Sequence, residues 1–299
     1  MDRHSHQPIK KVAITGGTHG NELTGIHLVR AFQSDPRRVE RESFETVPML
    51  TNIGAIERVT RYVDKDLNRT FSLSALEDYS GTAYEDALSK VINQRLGPKG
   101  AGETAIDLVV DLHTTTSDMG LSLVLSTTDP LSWQIAAYVK EKMPEVNIFR
   151  WKGDTGDVSF VSSIPPHGLT IEVGPIPQGV LRADMFFGTE RVVQTILDYI
   201  EAYNRGEVDF YTEVEIYDHV ALVDYPRTEQ GEITAMLHPD IQDNGYVRIE
   251  KGDPLFVTLE GKTVPYEGDE PRYVLFANEA AYYEKGFALC LTDKKSIAL

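Results

Sequence analysis

The stretch KVAITGGTHGNE, residues 11–22, decides the fold of this chain. A short apolar run typical of a buried strand ends in two glycines, and residues 21–32 follow with the apolar spacing of a helix. The stretch therefore predicts a strand that turns into a helix, with polar groups gathered at the turn. It lacks the G-x-G-x-x-G pattern of a dinucleotide-binding turn, and the chain has no Walker A pattern.

Strand and helix patterns continue to alternate after this unit. Apolar runs at residues 106–112, 120–126 and 168–173 predict further strands, and residues 131–143 and 184–204 predict helices. Such alternation indicates an α/β fold with a buried and largely parallel sheet.

The pattern changes near residue 205, after which short β-type runs follow one another without a long helical period. These runs lie at residues 214–223, 245–249, 255–259 and 273–277 and are separated by turn residues. We therefore predict an α/β domain over residues 1–205 and a smaller all-β domain over residues 206–299. Residues 152–167 show no period and are predicted to form a long loop.

Composition excludes several classes of function. The chain has 299 residues, of which 46 are acidic and 29 basic, giving a formal net charge of −17. Nucleic acids and anionic membranes are bound by basic surfaces, so neither is an expected partner. The single cysteine, Cys290, excludes a disulfide framework and a cysteine-based zinc site. No apolar run reaches the ~18 residues of a membrane span, and the polar N-terminus lacks a signal-peptide core, so a cytoplasmic protein is expected.

Three side chains have the types and placement of zinc ligands. His19 and Glu22 lie three residues apart on the first strand-to-helix turn, and His113 ends a predicted strand. Two histidines and one glutamate leave a fourth position open, as in catalytic zinc sites. Taken alone, each is also compatible with a structural role, for example a glutamate favoured by the start of a helix. Asp111 is a possible partner for a ligand, although strand alternation could point it away.

Two further segments carry groups that could serve catalysis. Glu172 is a carboxylate within an otherwise apolar strand, which suits either a buried ion pair or a general base with a raised pKa. The charged segment at residues 60–71 contains Arg61, Asn68 and Arg69. Arg69 could hold a carboxylate with two hydrogen bonds and Asn68 could add a donor, or the segment could be a solvated loop.

Six ordered motifs together resemble the aspartoacylase family, a branch of the zinc carboxypeptidase-like hydrolases. They lie at residues 16–25 (GGTHGNELTG), 66–69 (DLNR), 111–117 (DLHTTTS), 171–184 (IEVGPIPQGVLRAD), 252–259 (GDPLFVTL) and 278–285 (NEAAYYEK). The resemblance implies a zinc carboxypeptidase-like mixed sheet with flanking helices, followed by a β-rich domain that covers the mouth of the site.

The resemblance also implies roles for individual residues. Zinc would be held by His19, Glu22 and His113, and Glu172 would be the general acid and base. Arg61 would stabilise the oxyanion, and Asn68 and Arg69 would bind the α-carboxylate of the substrate. Tyr282 would close over the substrate and Lys285 would add positive charge. Family members hydrolyse N-acetylated amino acids, with N-acetyl-L-aspartate as the type substrate, and are often homodimers.

One departure bears on specificity. Aspartate-specific members are expected to carry an arginine ten residues before the catalytic glutamate and a tyrosine four residues before that arginine. Counted without gaps, these positions are Ser162 and Val158, which are expected to face the side-chain pocket. Activity on N-acetyl-aspartate is then expected to be weak, unless Arg150 or Lys152 reaches the pocket.

Three alternatives to an aspartoacylase-type enzyme stay open at this point. One is an aminoacylase-like deacylase of N-acetylated apolar or aromatic amino acids, which Ser162 and Val158 favour. The second is a peptide carboxypeptidase, which a β domain narrowing the mouth disfavours. The third is a non-catalytic protein that binds zinc or a small molecule.

Overall fold

The computed structural model describes residues 7–153 and 156–299. Residues 1–6, which were considered for a signal peptide, and residues 154–155 of the predicted loop lie outside that description. The described strands are β1 (Lys11–Gly16), β2 (Glu45–Leu50), β3 (Leu108–Thr114), β4 (Gly120–Leu125), β5 (Asn147–Arg150), β6 (His167–Gly174), β7 (Glu213–Val223), β8 (Ala235–Leu237), β9 (Arg248–Ile249), β10 (Pro254–Thr258), β11 (Thr263–Pro265), β12 (Arg272–Leu275) and β13 (Leu289–Ala298).

The α-helices lie mostly between the first seven strands. They are α1 (Leu23–Ser34), α2 (Ile53–Arg58), α3 (Leu73–Glu77), α4 (Tyr84–Leu96), α5 (Pro130–Lys142), α6 (Ala183–Arg205) and α7 (Pro239–Gln242). Among the described residues, no helix has both the length and the apolar character that a membrane span requires.

A ten-stranded mixed sheet forms the centre of the fold, in the order β2-β1-β3-β6-β4-β5-β7-β13-β12-β9. β2, β1, β3 and β6 run parallel to one another, whereas β4 pairs antiparallel with β6. The strands from β13 to β9 are all antiparallel. The predicted α/β class is therefore confirmed, but the expected largely parallel sheet is parallel only in part.

Helices cover both faces of the parallel strands. Residues of α1, α5 and α6 pack with one side of the strands in a large apolar cluster. Ile92 and Leu96 of α4 pack with Leu67 and Phe71 in a second cluster against Ala13 and Val109. Because both faces are covered, the strands are apolar along their length and polar groups collect at the strand ends.

The first turn depends on close backbone approaches. Gly17 has a φ of +76°, a conformation that L-residues with side chains rarely adopt. A Cβ on Gly20 would lie 2.1 Å from the carbonyl carbon of Ala55. The turn after β1 can therefore pack against α2 only because these positions are glycine.

The C-terminal strands extend the same sheet. β7 and β13 pair over almost their whole length, and β12 and β9 complete the row. A separate three-stranded sheet, β11-β10-β8, packs against β9, β12 and β13 of the large sheet in a shared apolar cluster. The β-rich C-terminal region is thus confirmed, whereas its boundary at residues 205 and 206 stays a prediction.

Candidate active site

The carboxyl ends of three adjacent parallel strands gather the polar residues of the site. His19 follows β1, His113 lies near the end of β3, and Glu172 lies near the end of β6. His113 and Glu172 are register partners in the β3–β6 pair. Open α/β sheets place their ligands at this edge.

His19, Glu22 and His113 converge on one point. Glu22 Oε1 lies 2.6 Å from His19 Nδ1, and Glu22 Oε2 lies 2.9 Å from His113 Nδ1. One ligand atom from each residue lies within 4.8 Å of the others, and all three residues are buried. The backbone N–H of Thr114 also donates to Glu22 Oε2, at 3.0 Å, which ties the carboxylate to β3.

The other ring nitrogen of each histidine faces a second carboxylate. His19 Nε2 lies 2.9 Å from Asp66 Oδ1, and His113 Nε2 lies 2.7 Å from Asp111 Oδ2. Asp111 and His113 are two residues apart on a strand, so they share one face. The concern that alternation could point Asp111 away was therefore wrong. Asp66 was not predicted from its residue type, because 47 residues separate it from His19.

These residues fit a zinc ion. Two imidazole nitrogens and a carboxylate are a common zinc donor set, and a carboxylate behind each histidine fixes the ring that presents its nitrogen to the metal. Burial lowers the pKa of His113, but Asp111 and Glu22 outweigh burial and raise it above its ordinary value. The carboxylates thus favour positive charge at this point, as a site for a divalent cation requires.

Glu172 faces the same cleft as the three convergent residues. Removal from solvent raises its pKa to about 8; His113 opposes this shift, and the carboxylates of Glu22 and Glu279 add to it. A carboxyl group that exchanges a proton near neutral pH suits general acid–base chemistry.

Arg61 is half-buried and lines the cleft, contrary to a solvated loop. Its guanidinium lies 3.2 Å from Glu22 Oε1 and 3.3 Å from Asp66 Oδ2, and it faces the ring of Tyr282 at 5.7 Å. Three of the five guanidinium N–H groups make hydrogen bonds to these carboxylates, so two remain for a ligand.

Asn68 and Arg69 line the cleft beside Arg61. Asn68 Oδ1 accepts from the backbone of Val161 at 2.9 Å, and its amide nitrogen lies 3.5 Å from His113 Nε2. Arg69 is exposed, and its guanidinium faces the ring of Phe160 at 5.1 Å. Both residues thus hold polar groups at the cleft.

The C-terminal region contributes Tyr282 to the cleft but not Lys285. Tyr282 lines the cleft on the short 3-10 helix Ala280–Lys285. Lys285 is not among the lining residues and instead lies 3.5 Å from Asp66 Oδ2. Its role in substrate binding therefore stays a prediction, and its ammonium group pairs with the same carboxylate that faces His19.

Glu279 is a cleft residue that sequence reasoning missed. Its carboxylate accepts from the backbone of Thr116 at 2.8 Å and from the hydroxyl of Thr115, so it fastens the C-terminal region to the chain just after His113. Its place in the motif at residues 278–285 was the available signal, but its residue type did not separate it from other surface acids.

The expectation about Ser162 and Val158 was wrong. Neither lines the cleft; both line a neighbouring cavity, and Ser162 Oγ lies 3.3 Å from the hydroxyl of Thr170. The short 3-10 helix Val161–Ser163 turns the chain here, so Phe160 faces the cleft instead. An ungapped count could not anticipate that turn.

Arg150 and Lys152 do not reach the cleft either. Arg150 donates two hydrogen bonds to Asp218, at 2.7 and 2.8 Å, and Lys152 donates another at 2.6 Å. Both cations are thereby paired with Asp218 of β7, and neither is among the residues that line the cleft.

The remaining wall of the cleft is largely aromatic. The cleft, including its open mouth, has a volume of about 660 Å³. Phe149 packs edge-on against Trp151 and Phe276, and Tyr282 stacks on Phe287 at 4.7 Å. Among the described residues that line the cleft, the cations are Arg61 and Arg69, both on the segment beside the histidines. The cleft thus joins a polar side to an apolar one.

Comparison with known proteins identifies the family of the chain. The profile of the succinylglutamate desuccinylase/aspartoacylase catalytic domain matches residues 8–200, and that of the AstE/AspA barrel-sandwich hybrid domain matches residues 212–294. A probable aspartoacylase of Trichodesmium erythraeum is 45% identical over 97% of this chain and 98% of its own length.

Two further relatives carry names other than aspartoacylase. The human N-acyl-aromatic-L-amino acid amidohydrolase (carboxylate-forming) is 40% identical over 96% of this chain and 92% of its own length. The crystal structure of murine aminoacylase 3 superposes with a TM-score of 0.94, at 38% identity over 98% of each chain. The chain therefore belongs to the succinylglutamate desuccinylase/aspartoacylase family.

Proposed function

We propose that this chain is a zinc-dependent hydrolase that removes the acyl group from N-acyl amino acids, with a preference for aromatic and other apolar side chains. The observation that carries the proposal is the cleft itself: His19, Glu22 and His113 converge beside Glu172 and Arg61, opposite an aromatic wall. The names of the relatives support amide hydrolysis as the reaction.

His19, Glu22 and His113 are the proposed zinc ligands. When bound there, zinc would polarise the acyl carbonyl and make a water molecule more acidic. Glu172 takes a proton from the attacking water and delivers it to the nitrogen of the leaving amine, which its raised pKa permits. Arg61 donates to the oxygen of the acyl group as negative charge develops, a contact that contributes roughly 3 kcal/mol in comparable sites.

Arg69 and Asn68 are proposed to bind the α-carboxylate. An arginine can hold a carboxylate with two parallel hydrogen bonds, and Asn68 supplies a further N–H. Tyr282 covers the bound substrate from the C-terminal region. The side chain of the substrate then lies against rings such as Phe160 and Trp151, where an apolar group is stabilised and an unpaired carboxylate is not.

Hydrolysis of N-acetyl-L-aspartate is the second candidate, and the name of the cyanobacterial relative favours it. The two candidates differ in the charge of the substrate side chain that would lie on the apolar side of the cleft. The aromatic preference follows because Arg150 and Lys152 are both engaged by Asp218. A peptide carboxypeptidase is disfavoured by the C-terminal cover over the cleft.

A substrate panel tests the proposal. The zinc-loaded protein is assayed for acetate release from N-acetyl-L-tyrosine, N-acetyl-L-leucine and N-acetyl-L-aspartate, and kcat/KM is compared. We expect the tyrosine derivative to be hydrolysed best and the aspartate derivative least. A strong preference for aspartate would move the assignment to the second candidate, and full zinc content without any turnover would indicate a non-catalytic binding protein.

A homodimer and a cytoplasmic location stay predictions. Sedimentation of the purified protein and fractionation of cells that express it would test them.

A further inference from the structure

Glu85 is a buried carboxylate that plays no part in the cleft. It lies in the first turn of α4, its exposed fraction is 0%, and it does not line the cleft. Carboxylates are rarely buried so fully without specific partners.

Its partners are three consecutive backbone amides of the segment that bears Arg61. Val63 N–H donates to Oε1 at 2.7 Å, and the N–H groups of Asp64 and Lys65 donate to Oε2 at 3.0 and 3.1 Å. The side chain of Asn52 donates to Oε1 at 3.1 Å. Hydrogen bonds to an ionised acceptor are stronger than those between neutral groups.

Side chains of the segment in turn contact the first turn of α4. The backbone N–H of Tyr84 donates to Asp64 Oδ2 at 2.7 Å, and the ammonium group of Lys65 contacts the carboxylate of Asp86. Residues 63–65 and the first turn of α4 therefore fix each other. Apart from these contacts the segment is a surface loop, since Asp64 and Lys65 are exposed.

Arg61 lies two residues before the fixed amides. Its own carbonyl accepts from Gly20 N–H at 3.2 Å, and its side chain contacts Glu22 and Asp66. Asp66, which faces His19, follows the fixed amides directly. The position of the guanidinium is therefore set on one side by the turn after β1 and on the other by the amides that Glu85 holds.

Burial raises the pKa of Glu85, but the amide and Asn52 hydrogen bonds outweigh it, so its pKa lies below the ordinary value. The group is thus ionised at neutral pH.

We infer that Glu85 is a positioning residue that holds residues 63–65 so that Arg61 points its donors at the reacting oxygen. The inference rests on the proposed function for the role of Arg61. Without the carboxylate, the three amides would bond water instead, and the loop would move more freely. Small displacements of a charge-stabilising group lower the rate strongly.

The test compares Glu85→Gln with Glu201→Gln. Glu201 is also a largely buried carboxylate that accepts from a loop amide, Ser43 N–H at 3.1 Å, but it lies on α6 and does not line the cleft. Residues that orient metal ligands commonly contribute about 10–100-fold to activity, and we expect a contribution of this size from a residue that orients Arg61. We expect Glu85→Gln to lose kcat in that range with a smaller change in KM, and Glu201→Gln to keep both.

Two further measurements separate positioning from general destabilisation. In the Arg61→Ala background, Glu85→Gln should cost much less than in the wild type, because the two changes then act on one group. Amide hydrogen exchange at residues 60–66 should be faster in Glu85→Gln and unchanged in Glu201→Gln.

The outcomes distinguish this inference from the proposed function. A wild-type protein that hydrolyses none of the panel substrates would contradict the proposed function, while the exchange measurement would still decide whether Glu85 holds the loop. Wild-type kcat in Glu85→Gln, an equal penalty with and without Arg61, or unchanged exchange at residues 60–66 would each overturn the inference.

Discussion

His19 and His113 have a carboxylate at both ring nitrogens, so each ring is held in one orientation. We expect His19→Ala or His113→Ala to lose zinc, because removing one of three ligands leaves an incomplete coordination shell. Zinc per chain is measured by elemental analysis after dialysis. His27→Ala, a change on α1 outside the cleft, should keep the metal, and full zinc in either ligand variant would contradict the assignment.

Glu172 is expected to act on protons and not on the metal. Glu172→Ala should therefore retain zinc and lose kcat by about 10²–10⁴-fold, the usual contribution of a general base. The assay pairs steady-state kinetics with zinc content on the same sample. Near-normal turnover in the zinc-replete variant would remove Glu172 from the proposed chemistry.

Arg69 is expected to contribute to binding more than to the chemical step. A contact with the α-carboxylate is made equally in the bound substrate and in the transition state, so Arg69→Ala should chiefly raise KM. Steady-state kinetics with N-acetyl-L-tyrosine check this. A fall in kcat at unchanged KM would place Arg69 in the reaction itself.

Among single residues, sequence predicts site residues of two kinds. Some lie close to one another along the chain, and others lie at the ends of adjacent strands. His19 and Glu22 share one turn, and His113 ends a strand beside that turn, so the convergence of these three could be predicted. Glu279 and the pairing of Asp66 with His19 could not, since those contacts depend on how distant segments pack.

At the scale of elements, β5 ends beside an aromatic side chain that separates two cavities. Trp151 lines both the cleft and the neighbouring cavity, and it packs against Phe149 at 6.1 Å and His219 at 4.8 Å. Trp151→Ala would remove one ring from the wall and join the two spaces.

We expect Trp151→Ala to lower kcat/KM for N-acetyl-L-tyrosine by about 2- to 12-fold, which corresponds to an aromatic contact of ~0.5–1.5 kcal/mol. N-acetyl-L-leucine should be affected less, because it makes no ring contact. Tyr79→Ala, which removes an exposed ring outside the cleft, is the control. Equal losses of kcat/KM for both substrates would show that Trp151 does not distinguish between their side chains.

Sequence patterns predicted well the strands and helices that bury a continuous set of apolar residues, such as β1, β3 and α6. The elements that escaped prediction have weaker patterns. β5 is only four residues long, and half of β13 is polar because its outer residues face solvent. The 3-10 turn at residues 161–163 has no distinct residue signature, which is why Phe160 was not expected in the cleft.

At the scale of the whole molecule, one buried carboxylate joins the two halves of the sheet. Asp218 on β7 is 1% exposed and binds Arg150 on β5, Lys152 and Lys295 on β13. Burial raises the pKa of Asp218, but these three partners outweigh it and hold the pKa well below its ordinary value.

Asp218→Asn should lower the free energy of unfolding by about 2 kcal/mol at neutral pH, because three partly exposed cations lose a shared charged acceptor but can be rehydrated. Since the folded-state pKa is depressed, this stabilisation is present above the unfolded pKa of about 3.9 and declines as pH falls towards the folded value. Denaturant unfolding of wild type and variant at pH 7 and pH 3 measures the difference, which should shrink at pH 3.

Asp198→Asn provides a control for that experiment, because Asp198 pairs with Arg41 while itself largely exposed. Such pairs contribute about 0–1 kcal/mol. A difference for Asp218→Asn that is small at pH 7, or that grows on acidification, would contradict the role of this cluster.

The fold class could be predicted from sequence for two reasons. Alternating strands and helices predict a sheet covered by layers of helices, and the long ordered motifs resemble one family. The joining of both regions into one sheet does not follow, since the pairing of β5 with β7 leaves no signal in either strand alone.

The position of β13 inside the sheet has a consequence for how the protein is made. β13 pairs with both β7 and β12, yet it is the last of these strands to be synthesised. A chain that ends before residue 289 therefore leaves two strand edges unpaired, and such edges are templates for aggregation. The short helix that carries Tyr282 lies just before β13, so completion of the cleft wall and closure of these edges both depend on residues that are made late. Chains truncated shortly before residue 289 should accordingly be captured by chaperones more than the full chain, and they should lack activity.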